Sequence, residues 1–123
     1  MEPEVEQYRK VVRDEWTNSH TVAAWARWHA KITAQQVNMR EALIQHARLE
    51  PGMRVLELAC GTGDPALEIA RRVGPNGHVT ATDLSPQMVD ECRKNASAAG
   101  IANMDFAVAD AENLEFGPAS LIV

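Results

Sequence analysis

One short segment constrains this chain more than any other. Val55-Leu56-Glu57-Leu58-Ala59-Cys60-Gly61-Thr62-Gly63-Asp64-Pro65 runs from an apolar stretch through a glycine-bearing turn into a helix start. Gly61 and Gly63 let backbone amides approach a ligand closely, because no Cβ stands in the way. Asp64 suits a helix N-cap and Pro65 the first helical position. The pattern then repeats. Residues 78–82 form a second apolar run ending at Asp83, and Ser85-Pro86 offers a second cap and helix start. Residues 104–109 form a third run, ending at Asp110. Between them, Leu67, Ala70 and Val73 share one helical face, and Met88, Cys92 and Ala96 another. Gly74-Pro75-Asn76-Gly77 and Gly100 stop the two helices.

Strand, helix, strand, helix, strand predicts a parallel sheet with helices packed on it. Such sheets bind ligands at the carboxyl ends of their strands. The glycine turn, Asp83 and Asp110 all fall at such ends, and that convergence outweighs any one motif. Residues 120–123 read as the opening of a fourth strand.

Residues 1–50 read differently. They are helical in pattern, with Trp25, Trp28 and Ile32 on one face and a later helix through Val37, Leu43 and Ala47 that stops before Glu50-Pro51-Gly52. The tryptophan face is expected to be core packing, with a lid over a ligand as the alternative. The boundary near residue 50 divides the chain into a helical extension, 1–50, and a sheet-forming core, 51–123.

Charge narrows the partners. The net charge is −5, and residues 51–123 carry all of it, with five basic and ten acidic side chains. No basic patch interleaved with aromatics is present, which argues against nucleic acid. No apolar run is long enough for a membrane span. The acidic start lacks a signal peptide pattern, so a cytoplasmic setting is expected. Cys60 and Cys92 lack metal or disulfide spacing, and no base stands beside Cys60 in sequence. His20, His29, His46 and His78 show no ligand spacing and are expected to be ordinary structural or surface residues, so no metal is expected.

The turn also satisfies a dinucleotide pattern, Gly61-x-Gly63-x-x-Ala66, with Asp83 twenty residues after Gly63. An NAD-binding oxidoreductase fragment is therefore one reading. Its pyrophosphate needs free amides at a helix start, whereas Glu57 and a capping Asp64 place negative charge there. A ligand with a positive centre and a ribose fits these acids better.

The three motifs resemble class I S-adenosylmethionine-dependent methyltransferases. Glu57-Leu58-Ala59-Cys60-Gly61-Thr62-Gly63 is similar to their first motif. Asp83-Leu84-Ser85-Pro86-x-Met88 is similar to the segment after their second strand, and Asp110-Ala111-Glu112-Asn113-Leu114-x-Phe116 to that after their third. The likeness covers residues 51–123 and is nearest to the small-molecule group that includes ubiquinone and menaquinone C-methyltransferases. It implies an α/β, Rossmann-like parallel sheet with strand order 3-2-1-4, truncated relative to the family's seven strands, and an N-terminal helical segment. It further implies S-adenosylmethionine as cofactor and S-adenosylhomocysteine as product. Glu57 and the Ala59, Cys60, Gly61, Thr62 and Gly63 backbone would hold the methionine part. Asp83 would bind the ribose hydroxyls, and Leu84 and Met88 would pack on adenine. Asp110 would accept from the adenine amino group with the Ala111 amide near the ring; Glu112 stands between site and surface. Alanine at 59, where many members have glycine, is expected to cost little. The acceptor is expected to be a small molecule. No catalytic base emerges from the sequence, so a cofactor-binding domain without catalysis stays open beside the enzyme. An apolar fourth strand at the sheet edge is expected to favour homo-oligomers by edge pairing or exchange of elements.

Overall fold

The computed structural model describes residues 2–119 and 121–123. Three helices open the chain: α1 (Pro3–Thr17), α2 (Ser19–Gln35) and α3 (Val37–Ala47). The sheet-forming core follows as β1 (Arg54–Glu57), α4 (Ala66–Val73), β2 (His78–Asp83), α5 (Pro86–Ala98), β3 (Met104–Val108) and β4 (Leu121–Ile122). The sheet order is β3-β2-β1-β4, and every pairing is parallel. β1 sets the register: Val55 lies beside Val79 on one side and Leu121 on the other. The expected strand order therefore holds. Ser120, the first residue of the expected fourth strand, lies outside the described residues.

Burial explains why these runs become strands. Val55, Leu56 and Glu57 are all buried, because β1 is flanked by strands on both sides and covered on its faces. α4 presents Leu67, Ile69, Ala70 and Val73 to the sheet, and α5 presents Met88, Val89, Cys92 and Ala96. With Val55, Val79, Ala81 and Met104, the α4 residues and Cys92 and Ala96 of α5 form one continuous core, joined by Ile44 of α3. Ser85 caps α5 as expected, its hydroxyl accepting from the Met88 amide at 3.2 Å. Asn103 donates to the Ala70 and Gly74 carbonyls at 2.9 and 2.8 Å, finishing α4 with a side chain.

Two expectations change. First, the tryptophan face is not core. Trp25 is 37% exposed and Trp28 48%, and Trp28 lies beneath Arg27 and Lys31 at 5.3 and 5.7 Å. The core already has its apolar complement from the sheet side, so this face turns to a cavity and to solvent. Second, Asp64 does not cap α4. The helix starts at Ala66 with Pro65 at the cap position and no side-chain cap bond. The Asp64 carboxylate instead takes Arg40 Nη1 of α3 at 3.1 and 3.2 Å. A charged hydrogen bond in a site where both side chains are nearly buried outweighs one capping bond. The helical extension also breaks at Asn18, whose side chain accepts from the His20 and Thr21 amides and starts α2.

Candidate functional site

The glycine turn is held in shape from three sides. The Cys60 amide donates to the Thr82 carbonyl at 2.8 Å, and the Gly63 amide donates back to the Cys60 carbonyl at 3.0 Å. Asn95 of α5 donates to the Thr62 carbonyl at 2.7 Å. Gly63 has φ +121, and a Cβ there would lie 2.4 Å from the Leu67 side chain, so only glycine fits. Gly61, at φ +53, has open space where a Cβ would point. Ala59 also sits in the left-handed region, at φ 56. That corrects the expectation of little cost: a residue with a Cβ is strained here by about 1–2 kcal/mol.

Asp83 fastens the turn to the second strand. Its Oδ2 accepts from the Gly61 amide and its Oδ1 from the Ser85 amide, both at 2.9 Å. A carboxylate has about four lone-pair sites, so two remain for a ligand's hydroxyls. Asp110 likewise closes a turn, its Oδ1 accepting from the Glu112 amide at 2.9 Å.

Above these groups lies a cavity of about 880 Å³. Ala59, Cys60, Gly61, Thr62, Asp83, Leu84, Met88, Asp110, Ala111 and Glu112 all line it. Its other wall is helical and largely apolar, with Val5, Tyr8, Val12 and Trp16 from α1 and Trp25 and Ile32 from α2. The wall follows helical spacing in both helices, a signal present in the sequence for α1 that charged neighbours obscure. Two expected site residues stand apart. Gly63 borders a smaller adjoining pocket, and Glu57 is on neither wall.

Glu57 is only 2% exposed, and its Oε2 has no hydrogen-bond partner among the described residues. Burial pushes its carboxyl well above the usual range, and Cys92, Asp64 and Asp83 add to the rise. Cys60 is no nucleophile. Its hydrogen bond with Cys92 and its burial push the thiol up, far from thiolate formation at neutral pH.

His29 is the functional-wall residue that sequence reasoning missed. Its Nδ1 lies 2.8 Å from Thr62 Oγ1, tying α2 to the glycine turn. It shares a face with Trp25 and Ile32, which was the available signal. The other three histidines do not line the cavity. Among the described residues, no cluster of His, Cys, Asp and Glu is suited to hold a metal ion.

The electrostatic case against a pyrophosphate also shifts. Asp64 is compensated by Arg40, and Glu57 is driven toward its neutral form. What disfavours a pyrophosphate is that the Gly61 amide is already taken by the Asp83 carboxylate, which stands at the tip of the turn.

This fold and turn define a class I S-adenosylmethionine-dependent methyltransferase architecture. The chain belongs to the methyltransferase domain family, which matches residues 55–123. It is 42% identical over 73 residues to the ubiquinone/menaquinone biosynthesis C-methyltransferase UbiE of Bordetella avium (strain 197N), covering 59% of this chain and 28% of that protein. A protein-L-isoaspartate O-methyltransferase superposes with a TM-score of 0.64 at 31% identity, over 71% of this chain and 28% of the other. Coclaurine N-methyltransferase, solved with N-methylheliamine and SAH, superposes with a TM-score of 0.60 at 25% identity, over 66% and 24%. The chain thus spans little more than a quarter of the UbiE relative's length.

S-adenosylmethionine is the cofactor this family and its neighbours support, and the cavity fits it. The two spare acceptor sites on Asp83 suit a ribose diol, and the open face of Gly61 admits close backbone approach. The space is at the upper end of the 300–1,000 Å³ range for small-ligand sites.

Proposed function

We propose that this chain supplies the cofactor-binding part of an enzyme that methylates a small organic molecule with an apolar body. One observation carries this reading: ten motif residues and six apolar residues of the helical extension face each other across one cavity. In this reading Asp83 holds the ribose hydroxyls, and Leu84 and Met88 flank the adenine. Asp110 and the Ala111 amide address its polar edge. The backbone from Ala59 to Gly63 holds the amino-acid part, with Glu57 supporting the turn from behind the cavity wall. Residues 1–50 act as a lid on the 51–123 core.

When bound, S-adenosylmethionine supplies an activated methyl group on a sulfonium. The protein's task is then alignment and exclusion of water. The tryptophans of the helical wall serve the second purpose, and they favour an apolar acceptor. The acidic balance of the core supports a small-molecule acceptor over a nucleic acid. The two buried free thiols agree with a cytoplasmic setting. Among the described residues, no helix is long and apolar enough to cross a membrane. Ile122 of β4 is 57% exposed at the sheet edge, which supports pairing of that edge with another strand, from a second copy or from further chain.

Calorimetric titration tests the cofactor: saturable binding of S-adenosylmethionine and its homocysteine product, with none of NAD, is expected. Saturable NAD binding alone would overturn the reading. Labelled methyl transfer to a panel of phenols, quinols and amines separates catalysis from a binding role, which the partial span of the relatives keeps as the second reading.

A further inference from the structure

We propose that His29 is the group that takes the acceptor's proton during methyl transfer, a step that rests on the function proposed above. His29 stands where the two walls of the cavity meet. On one side its Nδ1 is engaged with Thr62 Oγ1 at 2.8 Å. Thr62 is itself buried, and its carbonyl is held by Asn95. The ring is therefore fixed in place by a rigid part of the site. On the other side Nε2 has no hydrogen-bond partner among the described residues, and the side chain lines the cavity. One nitrogen anchored and the other free is how an imidazole is oriented for proton transfer.

The competing groups are committed. Asp64 is paired with Arg40, and Glu112 with Arg9. Asp83 and Asp110 accept backbone amides, and in the proposed reading their remaining lone pairs go to the ribose and the adenine edge. Glu6, Tyr8 and Arg13 reach the cavity from α1, but all three are exposed, so water levels their influence. The thiol of Cys60 is held in its protonated form. His29 is what remains: with Nδ1–H donating to Thr62 Oγ1, its Nε2 keeps a free lone pair.

The step balances without any further reagent. The acceptor atom's electron pair forms the new bond to the methyl carbon. Sulfur keeps the pair of the bond that breaks and loses its positive charge. The proton on the acceptor atom passes to Nε2, and the resulting imidazolium returns it to solvent.

The test reads His29 directly. Nitrogen-proton correlation spectra of the whole chain are recorded against pH with saturating S-adenosylmethionine and again with saturating S-adenosylhomocysteine. The two ligands differ chiefly by one methyl and one positive charge. If His29 faces the reacting sulfur, its titration midpoint lies about one unit lower with the sulfonium bound, while His20, His46 and His78 do not move. An equal midpoint in the two complexes, with both ligands bound, overturns the proposal and leaves the proposed function standing. Failure to bind either ligand removes both. With an accepted substrate, His29→Gln is expected to lower kcat about 100-fold or more and erase the acidic limb of its pH profile, with cofactor affinity kept within threefold. A variant kcat within threefold of the parent also overturns it.

Discussion

Replacing Glu57 by Gln removes a buried titrating group from behind the cavity wall while keeping its shape. Because burial, Cys92, Asp64 and Asp83 raise the Glu57 carboxyl well above its ordinary 4.5, the folded protein keeps this proton to higher pH than the unfolded chain does. Unfolding above that pH therefore releases the proton, and stability falls as pH rises through the window that starts at 4.5. The glutamine variant lacks that slope. Over the first pH unit above 4.5 the unfolded carboxyl goes from half to about nine-tenths ionised. At 1.36 kcal/mol per unit of full linkage, the variant gains about 1 kcal/mol on the parent over that interval. The gap widens further until the folded carboxyl itself ionises. Urea unfolding followed by tryptophan fluorescence, at half-unit steps of pH, gives both stability curves, and their difference cancels every other titrating group. A difference that stays flat across the window would refute the claim that Glu57 is buried at a cost. A difference of opposite slope would mean that a cation already pairs it.

Other expectations follow from the same geometry. Asp83→Asn keeps the side chain's size but halves its acceptors, and S-adenosylmethionine affinity by calorimetry should fall by about 1–3 kcal/mol. Arg40→Met leaves Asp64 nearly buried without its cation. Since the two side chains are 14% and 12% exposed, the loss should be about 2–3 kcal/mol by denaturant unfolding, somewhat below that of a fully buried pair. Ala59→Gly relieves the left-handed strain at φ 56 but adds freedom to the unfolded chain, for a net gain of about 0.5 kcal/mol in the same assay.

The sheet was legible because its signals are local. Apolar runs ending in Asp83 and Asp110, and glycines at 74 and 100, mark strands and helices without reference to anything distant. The ligand-bearing turn was legible for the same reason. What escaped depended on contacts between distant parts of the chain. Asp64 looks like a cap until Arg40, twenty-four residues earlier, is brought beside it. His29 looks like any surface histidine until Thr62 meets it. Trp25 and Trp28 show the spacing of a buried face, yet periodicity does not say whether the facing space holds protein or a cavity. Glu57 sits in the motif, but only the fold shows that it is hidden behind the wall.

The first helix has a thermodynamic consequence of its own. No residue of α1 is buried, and its ion pair to the core, Arg9 with Glu112, is between partly exposed side chains. A helix of fifteen residues is marginal in water without packing. Its docking energy must therefore come largely from the apolar face it turns toward the cavity. In the absence of ligand, its amides should exchange with solvent far faster than those of β1 or α5. Molecules that fill the cavity then act as its packing partner, so the order of α1 rises with their concentration. Binding heats will contain a folding contribution, and the heat capacity of binding will be more negative than the ligand's own buried area accounts for.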